Sequence, residues 1–198
     1  MQLFDQYPDS VKVGRALYHF RAPFDTVLFV LDVLRRDDLS ADDRTALAVR
    51  LLFGWRPWAK AKKHKVLAAF LDLLGGGKKT REQPSMSFKQ DAALIRAAFL
   101  HQYGIDLDAE RGRMSWFRFV DLLGGLTNET AFGKVVELRL REVPAPTKYN
   151  SAERQALIQA KARVAIRDEK HGEQQFMAAW SRLADTLIAQ AKAGDSHV

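Results

Sequence analysis

The 198-residue sequence contains no cysteine. This absence excludes disulfide scaffolds, zinc ribbons and thiol catalysis, and it is typical of a reducing compartment. Long hydrophobic runs are also missing: residues 27–31, Val-Leu-Phe-Val-Leu, fall far short of the roughly 20 apolar residues that a membrane span needs. The first nine residues include Asp5 and Asp9 and have no basic stretch ahead of an apolar one, so we expect no signal peptide. We therefore expect a protein that stays in the cytoplasm and has no membrane partner.

The sequence also lacks the motifs of common catalytic and metal sites. Gly77-Lys78 is followed by Lys79 rather than Ser or Thr, so the glycine-rich stretch does not match a phosphate-binding loop. An acidic stretch further along holds Arg111 and Phe117 where a calcium loop needs glycine and glutamate. None of the five histidines has a carboxylate or a second histidine four residues away, the spacing that starts a metal site on a helix. The residues therefore predict neither an enzyme nor a bound metal or cofactor.

Apolar periodicity predicts a mainly α-helical fold. Residues 11–20 contain apolar positions on either side of a glycine turn, which predicts a short N-terminal β-hairpin. To be stable, such a hairpin must pack on helices or pair with another chain. Helical spacing then begins near Pro23, Ser40, Ala59, Ser87, Ser115, Ala131 and Ser151. We predict a compact helical domain with the hairpin over residues 1–146 and a C-terminal helical extension over 147–198, one long helix or a helix pair. The triple-glycine segment 75–87 predicts a mobile loop.

The formal charge of +7 is concentrated in one segment. Residues 53–83 carry 8 basic and 2 acidic groups, which is six of the seven excess positive charges, whereas the rest of the chain is near neutral. The lysines of this segment at the start of the predicted third helix are Lys60, Lys62, Lys63 and Lys65, preceded by Trp55 and Trp58. Cations beside aromatic rings are used in binding single-stranded nucleic acids, but a lysine-rich helix start is more often solvated or faces an acidic protein. We favour the second interpretation and keep nucleic acid as the alternative.

An apolar stripe lies near the C-terminus. Its members recur at intervals of four, three and four residues, the spacing of one helix face: Phe176, Trp180, Leu183 and Leu187. Such a stripe either packs on the main domain or docks on a second copy or on a partner helix, and the sequence does not separate these outcomes. Together with the four lysines, these residues are the predicted partner-binding positions.

The central part of the chain carries a recognisable pattern. Gln102-Tyr103-Gly104-Ile105-Asp106-Leu107 ends one predicted helix, Trp116-Phe117-Arg118-Phe119 starts the next, and Phe132-Gly133-Lys134-Val135-Val136 starts a third. In these motifs, and in the order of elements over about residues 3–145, the chain resembles the bacteriophage gene-product-fifteen family, which is encoded just ahead of the tape-measure gene. Two features depart from the family: its aromatic pair is often two tryptophans, and the segment after Lys148 is longer and unlike the usual end.

The resemblance implies a non-enzymatic tail assembly chaperone of a long-tailed phage, a siphophage. Such a protein would bind the tape-measure protein, recruit tail-tube subunits and associate with itself. It would act in the cytoplasm of the infected host and be absent from the mature virion. The signature residues would then be structural rather than catalytic, and they are Gln102, Tyr103, Gly104, Trp116, Phe117 and Phe119.

Two alternatives remain open at this point. The first is a nucleic-acid-binding accessory phage protein that uses the basic segment 56–81. The second is a structural component that stays in the tail. Salt-dependent retention on DNA would favour the first, and presence in purified virions would favour the second.

Overall fold

The computed structural model describes residues 6–75 and 85–166. Over these residues the chain forms one two-stranded sheet and seven α-helices. This confirms the predicted mainly helical fold with a short N-terminal hairpin. The described chain forms two compact units, one of residues 6–75 with 108–124 and one of residues 85–107 with 125–166.

The first unit begins with the hairpin. Strand β1 (Ser10–Val13) pairs antiparallel with β2 (Ala16–His19), and Gly14 adopts a positive φ of 64° in the turn between them. A turn with positive φ favours glycine because glycine has no Cβ to clash with the backbone. Val11 is buried, and β1 packs against helix α3 (Lys60–Leu73), which supplies the helical support that a lone hairpin needs.

Three consecutive helices follow in this unit. Helix α1 (Phe24–Arg35) leads to α2 (Ala41–Phe53), and α2 packs on both α1 and α3. Ser40, near which helical spacing was predicted to begin, caps α2, because its hydroxyl oxygen accepts a hydrogen bond from the Asp43 amide at 3.1 Å. The residues that the three helices bury recur at helical spacing and include Val27, Val30, Val33, Leu52, Val66 and Phe70.

Aromatic rings fill the core of the first unit. Phe20, just after β2, packs edge-on against Phe53 and Phe70 with ring centroids 6.1 and 5.0 Å away. Helix α5 (Trp116–Gly124) closes the unit on α1, where Phe119 stacks on Phe24 at 4.9 Å. Edge-to-face and offset arrangements of this kind add to the free energy of apolar burial.

The second unit contains α4 (Ala92–Tyr103), α6 (Ala131–Leu140) and α7 (Ser151–Val164). Helical spacing was predicted to begin near Ser87, but Ser87 lies in a turn before α4, where its hydroxyl accepts from the Gln90 amide at 3.2 Å. Asp91 directly precedes the helix. Helices α6 and α7 begin at Ala131 and Ser151, where helical spacing was predicted to begin.

A buried arginine joins the segments of the second unit. Arg139 of α6 pairs with Asp91, its Nε donates to the Val164 carbonyl at 2.6 Å, and its Nη1 donates to the Ser85 carbonyl at 3.2 Å. Lys161 of α7 donates back to the Arg139 carbonyl at 2.7 Å. Helix α7 itself buries no side chain fully, and these polar contacts help to hold it on α6.

The predicted domain boundaries have no direct test in this structure. Residues 76–84 of the predicted mobile loop 75–87 lie outside the described residues, while Met86 and Ser87 at its end are buried. The predicted extension 147–198 is described only as far as residue 166, and its helix α7 belongs to the second unit. The boundary after residue 146 stays a prediction.

Candidate interaction surface

Two of the four predicted lysines on α3 already have partners. Lys60 Nζ lies 2.5 Å from an Asp42 carboxylate oxygen, and His64 Nε2 lies 3.9 Å from the other oxygen of the same group. Lys62 Nζ lies over the rings of Tyr18 and Trp58, 5.0 and 5.3 Å from their centroids. A cation over an aromatic face is attracted to the electron-rich ring, so Lys62 serves to join α3 to the hairpin.

The Trp58 ring is also committed within the first unit. It packs edge-on against Tyr18 at 5.2 Å and lies 6.0 Å from the Phe53 ring. Of the two tryptophans beside the basic segment, Trp58 therefore covers the start of α3. Trp55 differs, because 76% of its surface is exposed.

Lys63 faces an open groove between α2 and α3. The groove has a volume of about 320 Å³, and α2 provides Leu47 and Arg50 while the connection to α3 provides Trp55 and Arg56. Lys65, the fourth predicted lysine, is exposed and does not line this groove. The structure thus divides the basic segment: Lys60 and Lys62 bind neighbouring side chains, and Lys63 belongs to a mixed apolar and cationic surface.

The sequence pattern missed the α2 side of this surface. Arg50 lies on the preceding helix, thirteen residues before Lys63, and carried no local signal that it would share a groove with that lysine. Trp55 directly after Gly54 was a usable clue, since a tryptophan just past a helix end has fewer neighbours to bury it. The other predicted partner-binding positions lie outside the described residues, and they are Phe176, Trp180, Leu183 and Leu187.

In the second unit, the signature residues end helix α4 and attach to it the loop that precedes α6. Gln102 donates from Nε2 to the Gly125 carbonyl at 2.8 Å, and its Oε1 accepts from the Thr127 amide at 2.9 Å. Gly104 adopts a left-handed φ of 66°, and its amide donates to the Leu100 carbonyl at 3.0 Å.

Tyr103 lies beside this helix end. Its ring packs edge-on against Phe99 at 5.7 Å, and burial raises the pKa of its hydroxyl. The roles of Gln102, Tyr103 and Gly104 in this structure are therefore structural, at the C-terminal end of α4.

The signature residues of the first unit lie in or near its core. Trp116 and Phe119 are buried, and the Trp116 amide donates to the Ala22 carbonyl at 2.8 Å. Phe117 is only partly buried and stacks on Tyr7, with ring centroids 6.3 Å apart. The Tyr7 hydroxyl donates to Asp121 at 2.8 Å, and partial burial together with that carboxylate raises the pKa of Tyr7.

The start of α1 and the chain that leads into α5 are joined directly. The Phe24 amide donates to the Met114 carbonyl at 3.0 Å, and the Gly112 amide donates to an Asp25 carboxylate oxygen at 2.9 Å. The first two residues of α1, Phe24 and Asp25, therefore hold the chain that leads into α5.

The described residues define a small, mainly helical protein with an N-terminal hairpin and a motif set built into its helix ends and core. Within that part of the chain, no cluster of three or more His, Cys, Asp or Glu side chains is arranged to hold a metal ion. None of the seven described helices combines the length and hydropathy that a membrane crossing requires.

The family model described as Bacteriophage Gp15 protein matches residues 3–166, and the chain belongs to this family. No curated protein and no solved structure matches the chain. The expected resemblance is therefore confirmed at the level of the phage family.

Proposed function

We propose that the protein is a non-enzymatic tail assembly chaperone that binds the tape-measure protein of a long-tailed phage and recruits tail-tube subunits to it. The observation that carries this proposal is the family match over residues 3–166, together with the motif order that it covers. The chaperone role itself comes from the family resemblance described above.

The surface of the first unit supports a binding role. Trp55 is largely exposed, and the groove beside it combines apolar walls with the cations Arg50, Arg56 and Lys63. Aromatic and arginine side chains are the residues that most often dominate the free energy of protein interfaces. A chaperone also needs contacts that are individually weak but repeated, which several bound copies along one long client would provide.

The proposal is tested by producing the chain together with the protein encoded directly downstream of it. We expect the downstream tape-measure protein to gain soluble yield and to co-purify with the chain at low salt. An unrelated long helical protein of similar length and hydropathy, produced in the same way, is the control and should gain nothing. If the tape-measure protein neither gains soluble yield nor associates with the chain at low salt, the proposal is wrong.

A further inference from the structure

The groove between α2 and α3, here called the α2–α3 groove, is a surface with two chemistries. It is lined by the apolar residues Ala46, Leu47 and Val49 and by three cations, here called the rim cations. They are Arg50 and Arg56, which are exposed, and Lys63, which is half-buried. The groove volume of about 320 Å³ is at the lower end of the range for ligand pockets in proteins.

The rim cations are not neutralised by the described part of the chain. No described carboxylate forms an ion pair with any of them. Lys60, which lies on α3 like Lys63, differs because it pairs with Asp42 at 2.5 Å. The one hydrogen bond that the structure shows for these three side chains joins Arg56 Nε to the Phe53 carbonyl at 3.4 Å. Three like charges around one opening raise the local concentration of anionic groups there.

Trp55 adds an apolar anchor point at the same opening. Its indole is 76% exposed, although exposing a tryptophan forfeits a large gain from apolar burial. Tryptophan and arginine are enriched at the centres of protein interfaces, and lysine is depleted there. The combination at this opening therefore matches a contact surface better than an ordinary solvated helix face.

We propose that the α2–α3 groove binds an acidic segment of a partner protein, with an apolar side chain of that segment in the groove and flanking carboxylates on Arg50, Arg56 and Lys63. Bidentate pairing of arginine with carboxylate would orient the segment, and contact with Trp55 would bury the exposed ring. The inference rests on the proposed function only for the identity of the partner, the tape-measure protein.

A single-stranded nucleic acid fits the groove less well. Binding of that kind stacks successive bases on a series of open rings along a basic track. Here Tyr18 and Trp58 already contact Lys62 and each other, which leaves Trp55 as the open ring beside the groove. The apolar walls also offer no hydrogen bond to a base or phosphate, whereas they suit a leucine or phenylalanine side chain.

The test uses the full chain and three short fluorescein-labelled peptides. One peptide has a central Leu-Phe pair flanked by glutamates, the second replaces the glutamates by glutamine, and the third replaces Leu-Phe by Ala-Ala. Binding is measured by fluorescence anisotropy at low salt. We expect the acidic Leu-Phe peptide to have a dissociation constant about tenfold lower than that of either counterpart. Equal binding of the glutamine peptide, or of the Ala-Ala peptide, would overturn the proposal.

Variants of the chain localise the binding. Lys63→Glu and Trp55→Ala should each weaken binding of the acidic peptide about tenfold, in line with hot-spot residues. Lys134→Glu, the same charge change at an exposed position on α6, is the matched control and should change it less than about twofold. Circular dichroism and thermal unfolding verify that each variant is folded, and Arg50→Glu replaces any variant that is not. If Lys63→Glu and Lys134→Glu weaken binding equally, the groove is not the site.

Two further outcomes separate this inference from competing ones. Tighter binding of a short oligothymidylate than of the acidic peptide, lost on Lys63→Glu, would assign the groove to nucleic acid and overturn the proposal. Co-production with the tape-measure protein gives the second outcome. If the Lys63→Glu chain and the unchanged chain retain equal amounts of that protein, the groove is not the contact, while the chaperone role stands. If the unchanged chain retains no tape-measure protein but still binds the acidic peptide, the chaperone role is wrong and the groove has another acidic partner.

Discussion

The Arg139 guanidinium forms a two-bond ion pair with the Asp91 carboxylate, 2.5 and 2.8 Å between the paired atoms, where the two side chains are 8% and 2% exposed. The pair joins α6 to the turn before α4, and the same carboxylate also accepts from the Ser87 amide at 2.9 Å. Such a pair contributes stability only as a complete unit, because either member alone is a buried charge without compensation.

We therefore expect Arg139→Leu to lower the free energy of unfolding by about 3–5 kcal/mol, the usual cost of leaving one member of a buried pair. The double variant Arg139→Leu/Asp91→Leu should recover part of this loss, since no charge stays buried, but not all, since the Ser87 amide loses its acceptor. Urea unfolding measures the free energy of unfolding of the single and the double variant.

Arg141→Ala is the control for the ion pair. Arg141 is exposed two residues further on, and its replacement should change the free energy of unfolding by less than about 0.5 kcal/mol. A loss at Arg139 no larger than that at Arg141 would show that the pair does not support the fold.

Gly133 is required by a close approach of backbone to backbone. A Cβ at this position would lie 2.2 Å from the Thr127 carbonyl oxygen and 2.9 Å from the Asn128 Cα. We expect Gly133→Ala to cost about 1–3 kcal/mol, as overpacking does, despite the better helix propensity of alanine. Gly124→Ala is the matched control: its Cβ meets nothing within 4 Å, so thermal unfolding should show little change or a small gain. Equal unfolding temperatures for the two variants would contradict this account.

The sequence predicts features that depend on neighbours in the chain and misses those that depend on distant ones. The Ser40 cap was predictable because its acceptor and donor lie three residues apart, and the hairpin was predictable from Gly14 and its flanking residues. Arg139 and Asp91 are separated by 48 residues and gave no such signal. At the candidate site, Lys63 was predicted from local charge, but Arg50 was not, because it approaches the groove from another helix.

Gly133 illustrates a further limit of sequence patterns. It is the second residue of the Phe132-Gly133-Lys134-Val135-Val136 segment, and nothing in the spacing of that segment explains why glycine is needed there. The reason is the Thr127–Asn128 backbone, which approaches the start of α6 from the loop before it. A close approach of this kind follows from how the loop closes, and it leaves no trace in hydrophobic periodicity.

Gln102 is expected to stabilise the loop after α5 through both ends of its amide. Gln102→Leu removes the hydrogen bonds to Gly125 and Thr127. A typical hydrogen bond contributes about 1 kcal/mol, and water replaces part of what is lost. We therefore expect the free energy of unfolding to fall by about 1–2 kcal/mol. Gln102→Glu keeps an acceptor for the Thr127 amide but places a carboxylate against the Gly125 carbonyl. We therefore expect it to lower the free energy of unfolding by more than half as much as Gln102→Leu does.

His101→Ala is the control for Gln102, since His101 is exposed on the neighbouring position of α4. Amide hydrogen exchange gives a local measurement, because faster exchange at Thr127 should accompany the loss of Gln102 but not of His101. Unchanged exchange at Thr127 in Gln102→Leu would show that the loop is held by other contacts.

Tyr7 is expected to make stability depend on alkaline pH. Partial burial and the Asp121 carboxylate raise the pKa of Tyr7 in the folded protein, so folding favours the neutral phenol. This contribution is fully present below the pKa of an unfolded tyrosine, about 10, and is lost as pH rises through the higher folded value. Between pH 9 and 11.5 the unfolding temperature of the unchanged chain should therefore fall more steeply than that of Tyr7→Phe. Parallel curves for the two chains would contradict the raised pKa.

The proposed chaperone role predicts where the protein is found during infection. If the chain is a chaperone, the surfaces that hold its client must be released when tail-tube subunits cover that client, so the chain should leave before the particle is complete. We expect quantitative mass spectrometry to detect it in infected-cell lysate and in immature tail complexes, but not in purified virions at the level of any structural protein. A stoichiometric amount in washed virions would instead assign it to the finished tail and overturn the chaperone role.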